Sequence, residues 1–123
     1  MTSLLEGLLW LTLNVYHEAR GEDQLSQIAV AHVTLNRAYN ANQPVKQVIL
    51  KDQQFSWTWQ KSDYWPHDLQ AFIVCLKSVS IATKGYDFTG GATFYHEKSI
   101  KPYWTKDMHQ IGQFGAHKFY VSR

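Results

Sequence analysis

The chain has 123 residues and a mass of 14.3 kDa, room for one domain that buries roughly two-thirds of the surface its unfolded form exposes. A composition 45% hydrophobic and 18% charged, with 7 Gly and 3 Pro, excludes disordered, collagenous and low-complexity proteins. Twelve Lys and Arg against ten Asp and Glu leave +2, too little for a dedicated nucleic-acid binder, and a single cysteine excludes an internal disulfide framework.

The chain opens with Ser3-Leu4-Leu5-Glu6, a capping-box pattern, followed by Leu5, Leu8, Leu9, Thr12, Val15 and Tyr16 at helical spacing. This predicts a helix from about Leu4 to Ala19, with Gly21 at the left-handed position just beyond it. The stretch is too short and too polar to span a bilayer, and no basic residue precedes Arg20, so no export signal is expected. A second helix is expected from about Leu25 to Tyr39. Its centre, Ile28 to Val33, is apolar nearly all round, the mark of a helix inside the core. After the polar break at 40–43, Pro44 suits the first turn of a short helix through Val45, Val48 and Ile49.

Lys51 to Trp65 has neither period but holds Phe55, Trp57, Trp59, Tyr64 and Trp65, and reads as an ordered surface loop. Pro66 opens another helix, with Leu69, Phe72, Ile73, Leu76 and Val79 on one face, ending before Gly85. Beyond it, glycines punctuate two short strand-like runs, Ala92 to His96 and Lys118 to Val121. The expected fold class is α+β: one domain over 1–123, mainly helical, with a small C-terminal antiparallel β element. Aromatic residues make up 15% of the chain, more than a small core needs, so Trp57, Trp59, Tyr95, Trp104 and Tyr120 are divided between core and cleft wall.

The segment His17-Glu18-Ala19-Arg20-Gly21-Glu22 sets four ionisable side chains at the end of an apolar helix. On local pattern alone it reads equally as a solvated helix end with Arg20 paired to a carboxylate. It does not complete a helical zinc motif, because Gly21 stands where the second histidine belongs. His96, His109 and His117 with Glu22 remain conceivable ligands, at spacings that match no compact motif. Cys75 lies in an apolar helical stretch, which suits a buried thiol better than a nucleophile.

Taken in order, these segments resemble the SleB-type cell-wall hydrolases, the family of the spore cortex-lytic enzymes. The strings that carry the resemblance are 18–22 (EARGE), 27–37 (QIAVAHVTLNR), 54–57 (QFSW), 87–96 (DFTGGATFYH), Pro102-Tyr103-Trp104, Ile111-Gly112 and 117–120 (HKFY). One departure is His17, where the family more often has a small residue. The resemblance implies a compact lysozyme-like fold, action on peptidoglycan glycan strands, and Glu18 as the catalytic acid. Gln54, Phe55 and Ser56 are assigned to one lip of a cleft and Thr93, Tyr95 and His96 to the other, with Glu22, Trp57, Trp104 and His117 as further substrate-side residues.

Cleavage of the β-1,4 bond between N-acetylmuramic acid and N-acetylglucosamine needs an acid of raised pKa, and the apolar helix end can provide one. A second carboxylate is not evident, since Glu22 is too close in the chain to serve as nucleophile. That favours a lytic transglycosylase over a hydrolytic muramidase. Rival readings are a zinc amidase built on Glu22, His96 and His117, and a non-catalytic wall-binding module. No cofactor is expected, nor a nucleic-acid partner, and the state expected is a monomer. Without an export signal the chain looks like a phage endolysin, made in the host cytoplasm and released to the wall by a holin-type protein. Lys98, Lys101, Lys106, Lys118 and Arg123 form a basic tail region suited to weak contact with a polyanionic wall.

Overall fold

The computed structural model describes residues 4–51 and 54–123; Ser3 of the expected capping box lies outside them. Helix α1 spans Leu4–Ala19, and Gly21 adopts φ +87° in the turn after it, as its sequence position requires. Helix α2 spans Gln24–Ala41, slightly longer than its periodicity suggests, because both ends are capped. The Asp23 side chain accepts from the Ser26 amide, and Asn42 closes the other end in the left-handed conformation. Helix α3 (Val45–Leu50) follows Pro44.

Residues 54–65 are less loop-like than expected. They contain a short helix, α4 (Trp57–Gln60), and bury Phe55 and Trp57 in a satellite cluster with Leu13 and Ile49. Helix α5 (Leu69–Lys84) begins after Asp68, whose side chain caps the Ala71 amide, rather than at Pro66.

Helix α2 is the central rod. Ala29, Val30, Ala31 and Val33 are fully buried, packed among Leu11 and Val15 of α1, Cys75 and Val79 of α5, and Phe119. Cys75 is therefore a core residue, and burial pushes its thiol up to about 11, away from nucleophilic use.

The C-terminal third forms a three-stranded antiparallel sheet in the order β1 (Phe94–Glu97), β3 (His117–Ser122), β2 (Met108–Phe114), with a 3-10 turn at Tyr103–Asp107. Strand β2 has no counterpart in the sequence reading. Its run MHQIGQF does not alternate cleanly, and a bulge between Gln110 and Gly112 shifts its register. The β2–β3 turn uses Gly115 at φ +60°, where a Cβ would stand 2.8 Å from the Ser26 Cβ, so this turn lies directly on the start of α2. Among the described residues, no helix is long and apolar enough to cross a membrane.

Candidate active site

Glu18 sits one residue before the end of α1, half-buried, where the negative end of the helix dipole already disfavours a carboxylate. Three contacts fix that helix end. The Gln27 side-chain amide donates to the Ala19 carbonyl at 3.2 Å, and its own oxygen accepts from Ser78 on α5 at 2.7 Å. Arg20 turns back to donate to the Tyr16 hydroxyl and stacks over that ring, and among the described residues it is not paired to a carboxylate as a solvated helix end would have it.

The sheet brings Tyr95 to Glu18. Strand β1 is positioned by the loop before it, where Asp87 accepts from the Thr89 and Gly91 amides and from Asn36 of α2 at 2.9 Å. Asn36 also donates to the Ala92 carbonyl at 2.9 Å, pinning the strand's entry to α2. This is the physical use of the 87–92 string (DFTGGA): an acceptor, a small turn with two positive-φ glycines, and a buried alanine. Burial would raise Asp87, but these hydrogen bonds and nearby His32 hold it below the usual carboxylate range.

From β1 the Tyr95 hydroxyl donates to Glu18 Oε1 at 2.7 Å. Burial, the carboxylate charge and that bond keep the phenol well above its ordinary pKa, so it remains a donor. Desolvation raises the pKa of Glu18. The Tyr95 bond and the charges of His117 and Arg37 moderate the rise, and the charge of Glu22 adds to it. The result is a carboxyl group, reachable from solvent, that holds its proton to higher pH than an ordinary glutamate.

Glu22 is on the next turn of chain, not on the face of α1. Its Oε1 accepts from Ser26 at 2.6 Å and bonds His117 Nδ1 at 2.9 Å. The His117 ring meets Tyr95 edge-on at 5.2 Å, so Glu22 and His117 brace the tyrosine that contacts Glu18.

The remaining expected site residues divide. Gln54 and Thr93, assigned to opposite lips, line one cavity of about 350 Å³ together with Arg37. Ser56 is exposed nearby. Phe55 and Trp57 are not on a lip surface: both are buried, and Trp57 donates to Asn14 at 2.9 Å and stacks on His17 at 4.4 Å. His17 thus fills its departure from the family pattern with a structural role, bonding the Tyr64 carbonyl at 3.0 Å, and burial lowers its pKa.

His96 and Trp104 lie on the other face of the sheet. Strand pairing sets Tyr95 opposite Phe119 and His96 opposite Lys118, which sends neighbouring side chains to opposite faces. His96 bonds the Glu97 carbonyl at 2.7 Å and the Tyr120 hydroxyl at 2.8 Å, beside Trp104. His96 and His117 are thereby separated by the sheet, and a zinc set of Glu22, His96 and His117 is not assembled. Among the described residues, no group of three or more His, Cys, Asp or Glu is placed to hold a metal.

Sequence reasoning gave no role to Arg37. Its Nε donates to the Thr93 carbonyl at 2.6 Å, and the guanidinium lies 5.2 Å from the Phe55 ring and 5.3 Å from the Phe94 ring. The available signal was a lone cation ending the apolar stretch of α2.

A family model described as Cell Wall Hydrolase matches residues 21–120, starting just after Glu18. A spore cortex-lytic enzyme of Bacillus cereus is 36% identical over 110 residues, covering 85% of this chain and 40% of that protein. One from Halalkalibacterium halodurans is 35% identical over 108 residues, covering 85% and 32%. The chain therefore spans about two-fifths or less of the curated relatives it matches. The catalytic domain of the germination-specific lytic transglycosylase SleB from Bacillus anthracis superposes with a TM-score of 0.79 at 31% identity, over 94% of this chain and 93% of that one. The catalytic domain of Bacillus cereus SleB gives 0.76 at 33%, over 94% and 91%. The mainly helical body with a three-stranded antiparallel sheet is the fold of these domains.

Proposed function

The chain belongs to the cell wall hydrolase family, and from that premise we propose that it cleaves peptidoglycan glycan strands as a lytic transglycosylase, with Glu18 as its single acid and base. The observation that carries this reading is the desolvated Glu18 carboxyl group held by Tyr95 at 2.7 Å at a solvent-accessible helix end. A protonated Glu18 gives its proton to the glycosidic oxygen as the bond from muramic C1 breaks. The bonding electron pair leaves with that oxygen, which becomes the 4-hydroxyl of N-acetylglucosamine. The oxocarbenium-like centre left at C1 is then attacked by the muramic 6-hydroxyl. Its proton returns to Glu18, and a 1,6-anhydro ring closes.

Each half-step has a local support. Desolvation favours the protonated form that starts the reaction. The Tyr95 hydroxyl and the nearby Arg37 charge stabilise the carboxylate formed midway. A retaining hydrolase would need a second carboxylate about 5–5.5 Å away as nucleophile. Glu22 is engaged by Ser26 and His117 instead, which favours the transglycosylase outcome.

Mass spectrometry of muropeptides released from purified murein tests the proposal. Anhydromuramoyl ends are expected, and ordinary reducing ends would instead assign hydrolysis. Loss of a free amine-bearing peptide from intact strands would point to an amidase.

A further inference from the structure

The cavity lined by Arg37 and Thr93 has features that strand cleavage alone does not use. Among the described residues, only two buried side-chain nitrogen or oxygen atoms lack a hydrogen-bond partner, His32 Nε2 and Arg37 Nη1. His32 is sealed in the core against Phe88, whereas Arg37 forms part of the wall of the 350 Å³ cavity. Two aromatic rings and the Thr93 carbonyl fix the guanidinium in place. A guanidinium held that way presents a fixed positive charge to an oxyanion in the cavity.

Lys51 brings a second cation to the same wall, and among the described residues no Asp or Glu lines it. Asn40, Gln43 and Gln54 add amides, which donate to and accept from a peptide backbone. The cavity also stands in the right place. Thr93 and Phe94 on its wall lead directly to Tyr95, and the charge of Arg37 reaches both Tyr95 and Glu18. On a glycan strand, the group nearest the scissile bond that carries carboxylates is the peptide stem on the lactyl arm of the muramoyl ring.

We propose that the Arg37–Lys51 cavity is a subsite for a carboxylate of that peptide stem, so that the enzyme selects stem-bearing muramoyl residues. This rests on the glycan-strand reading above. A phosphate of a wall polymer shares the same oxyanion chemistry, and the experiment separates the two.

Steady-state cleavage is measured on murein with free stem carboxylates and on the same murein with those carboxylates converted to amides, for wild type, Lys51→Gln, Arg37→Lys and Arg37→Gln. Wild type is expected to show kcat/KM about 10-fold higher on the unmodified strands, the scale of one charge-assisted contact. In each variant that ratio falls toward one through a higher KM on the unmodified substrate. Lys51 is exposed, so Lys51→Gln keeps the test open should Arg37→Gln fail to fold. A soluble muramoyl dipeptide with free carboxylates should inhibit wild type, and its amidated form should not. Equal wild-type rates on both mureins, or an unchanged ratio in Lys51→Gln, overturn the proposal. So does inhibition by inorganic phosphate without inhibition by the dipeptide. If wild type cuts neither murein, the glycan-strand reading itself fails and takes the subsite with it.

Discussion

On the inner face of the sheet, Tyr95, His117 and Phe119 lie against the ends of α1 and α2; on the outer face, Phe94, His96 and Tyr120 lie against Trp104. Each face joins a histidine to a tyrosine within a nest of rings. Outside, both ring nitrogens of His96 are engaged, one by a carbonyl and one by the Tyr120 hydroxyl. Inside, the tyrosine spends its hydroxyl on a carboxyl group whose pKa burial raises. The same residue types make a closed structural corner on one face and an acid site on the other. What separates them is a desolvated glutamate at a helix end.

Substitutions on the two faces should therefore fail in different ways. The largest expected effect is at Glu18. Glu18→Gln should cost about 100-fold or more in murein cleavage, the scale for losing a general acid. The same variant should melt higher than wild type at neutral pH. In the folded protein the Glu18 pKa is raised, so ionising it opposes folding as pH climbs from the ordinary glutamate value through the raised one. Below the ordinary value, where both states are protonated, the two melting temperatures should converge. Thermal melts across this range check both limbs.

Next is Tyr95→Phe. It removes the bond that stabilises the carboxylate, so Glu18 should hold its proton to still higher pH. The alkaline limb of the pH–rate profile should move upward, and the maximal rate should fall by about 10-fold, the worth of one charge-assisted hydrogen bond. An alkaline limb that moves down would remove Tyr95 from the site. His117→Gln should act in a smaller measure. The charge that helps lower Glu18 is lost, and the brace between Glu22 and Tyr95 is weakened. A modest rate loss with the same upward shift is expected, read in the same profile.

On the outer face, His96→Ala strands the Tyr120 hydroxyl and should cost about 1–3 kcal/mol of stability in denaturant melts. Cleavage at permissive temperature should change least of all. If it fell as far as in Tyr95→Phe, the distinction between the faces would be wrong, and His96 would return to the cleft where the sequence reading placed it.

The sequence made the helical body legible for a plain reason. Apolar spacing in α1, α2 and α5 reports burial directly, and the all-round apolar centre of α2 could go nowhere but the core. Strand β2 escaped because its bulge breaks the two-residue period on which such a reading depends. Phe55 and Trp57 were drawn to the surface by a segment without period. Burial there comes from contacts with Leu13 and Ile49, distant in the chain.

At the candidate site, Glu18 was singled out by its resemblance to the family's EARGE string, since its helix end alone read equally as a solvated terminus, and Tyr95 by its own string. Their hydrogen bond spans 77 positions and depends on Asn36 holding the 87–92 loop, which no local pattern encodes. The face that His96 takes was hidden for a similar reason. Side chains on successive strand residues alternate, and only the register of β1 against β3 decides which of Tyr95 and His96 faces α1.

The most direct test is the titration of the Glu18 side chain, followed through its carboxyl carbon by NMR in wild type and in Tyr95→Phe, with Glu18→Gln to assign the signal. The account predicts an inflection above that of an ordinary glutamate, moved higher again when the tyrosine hydroxyl is removed. An inflection at or below the ordinary value in the wild-type protein would contradict it.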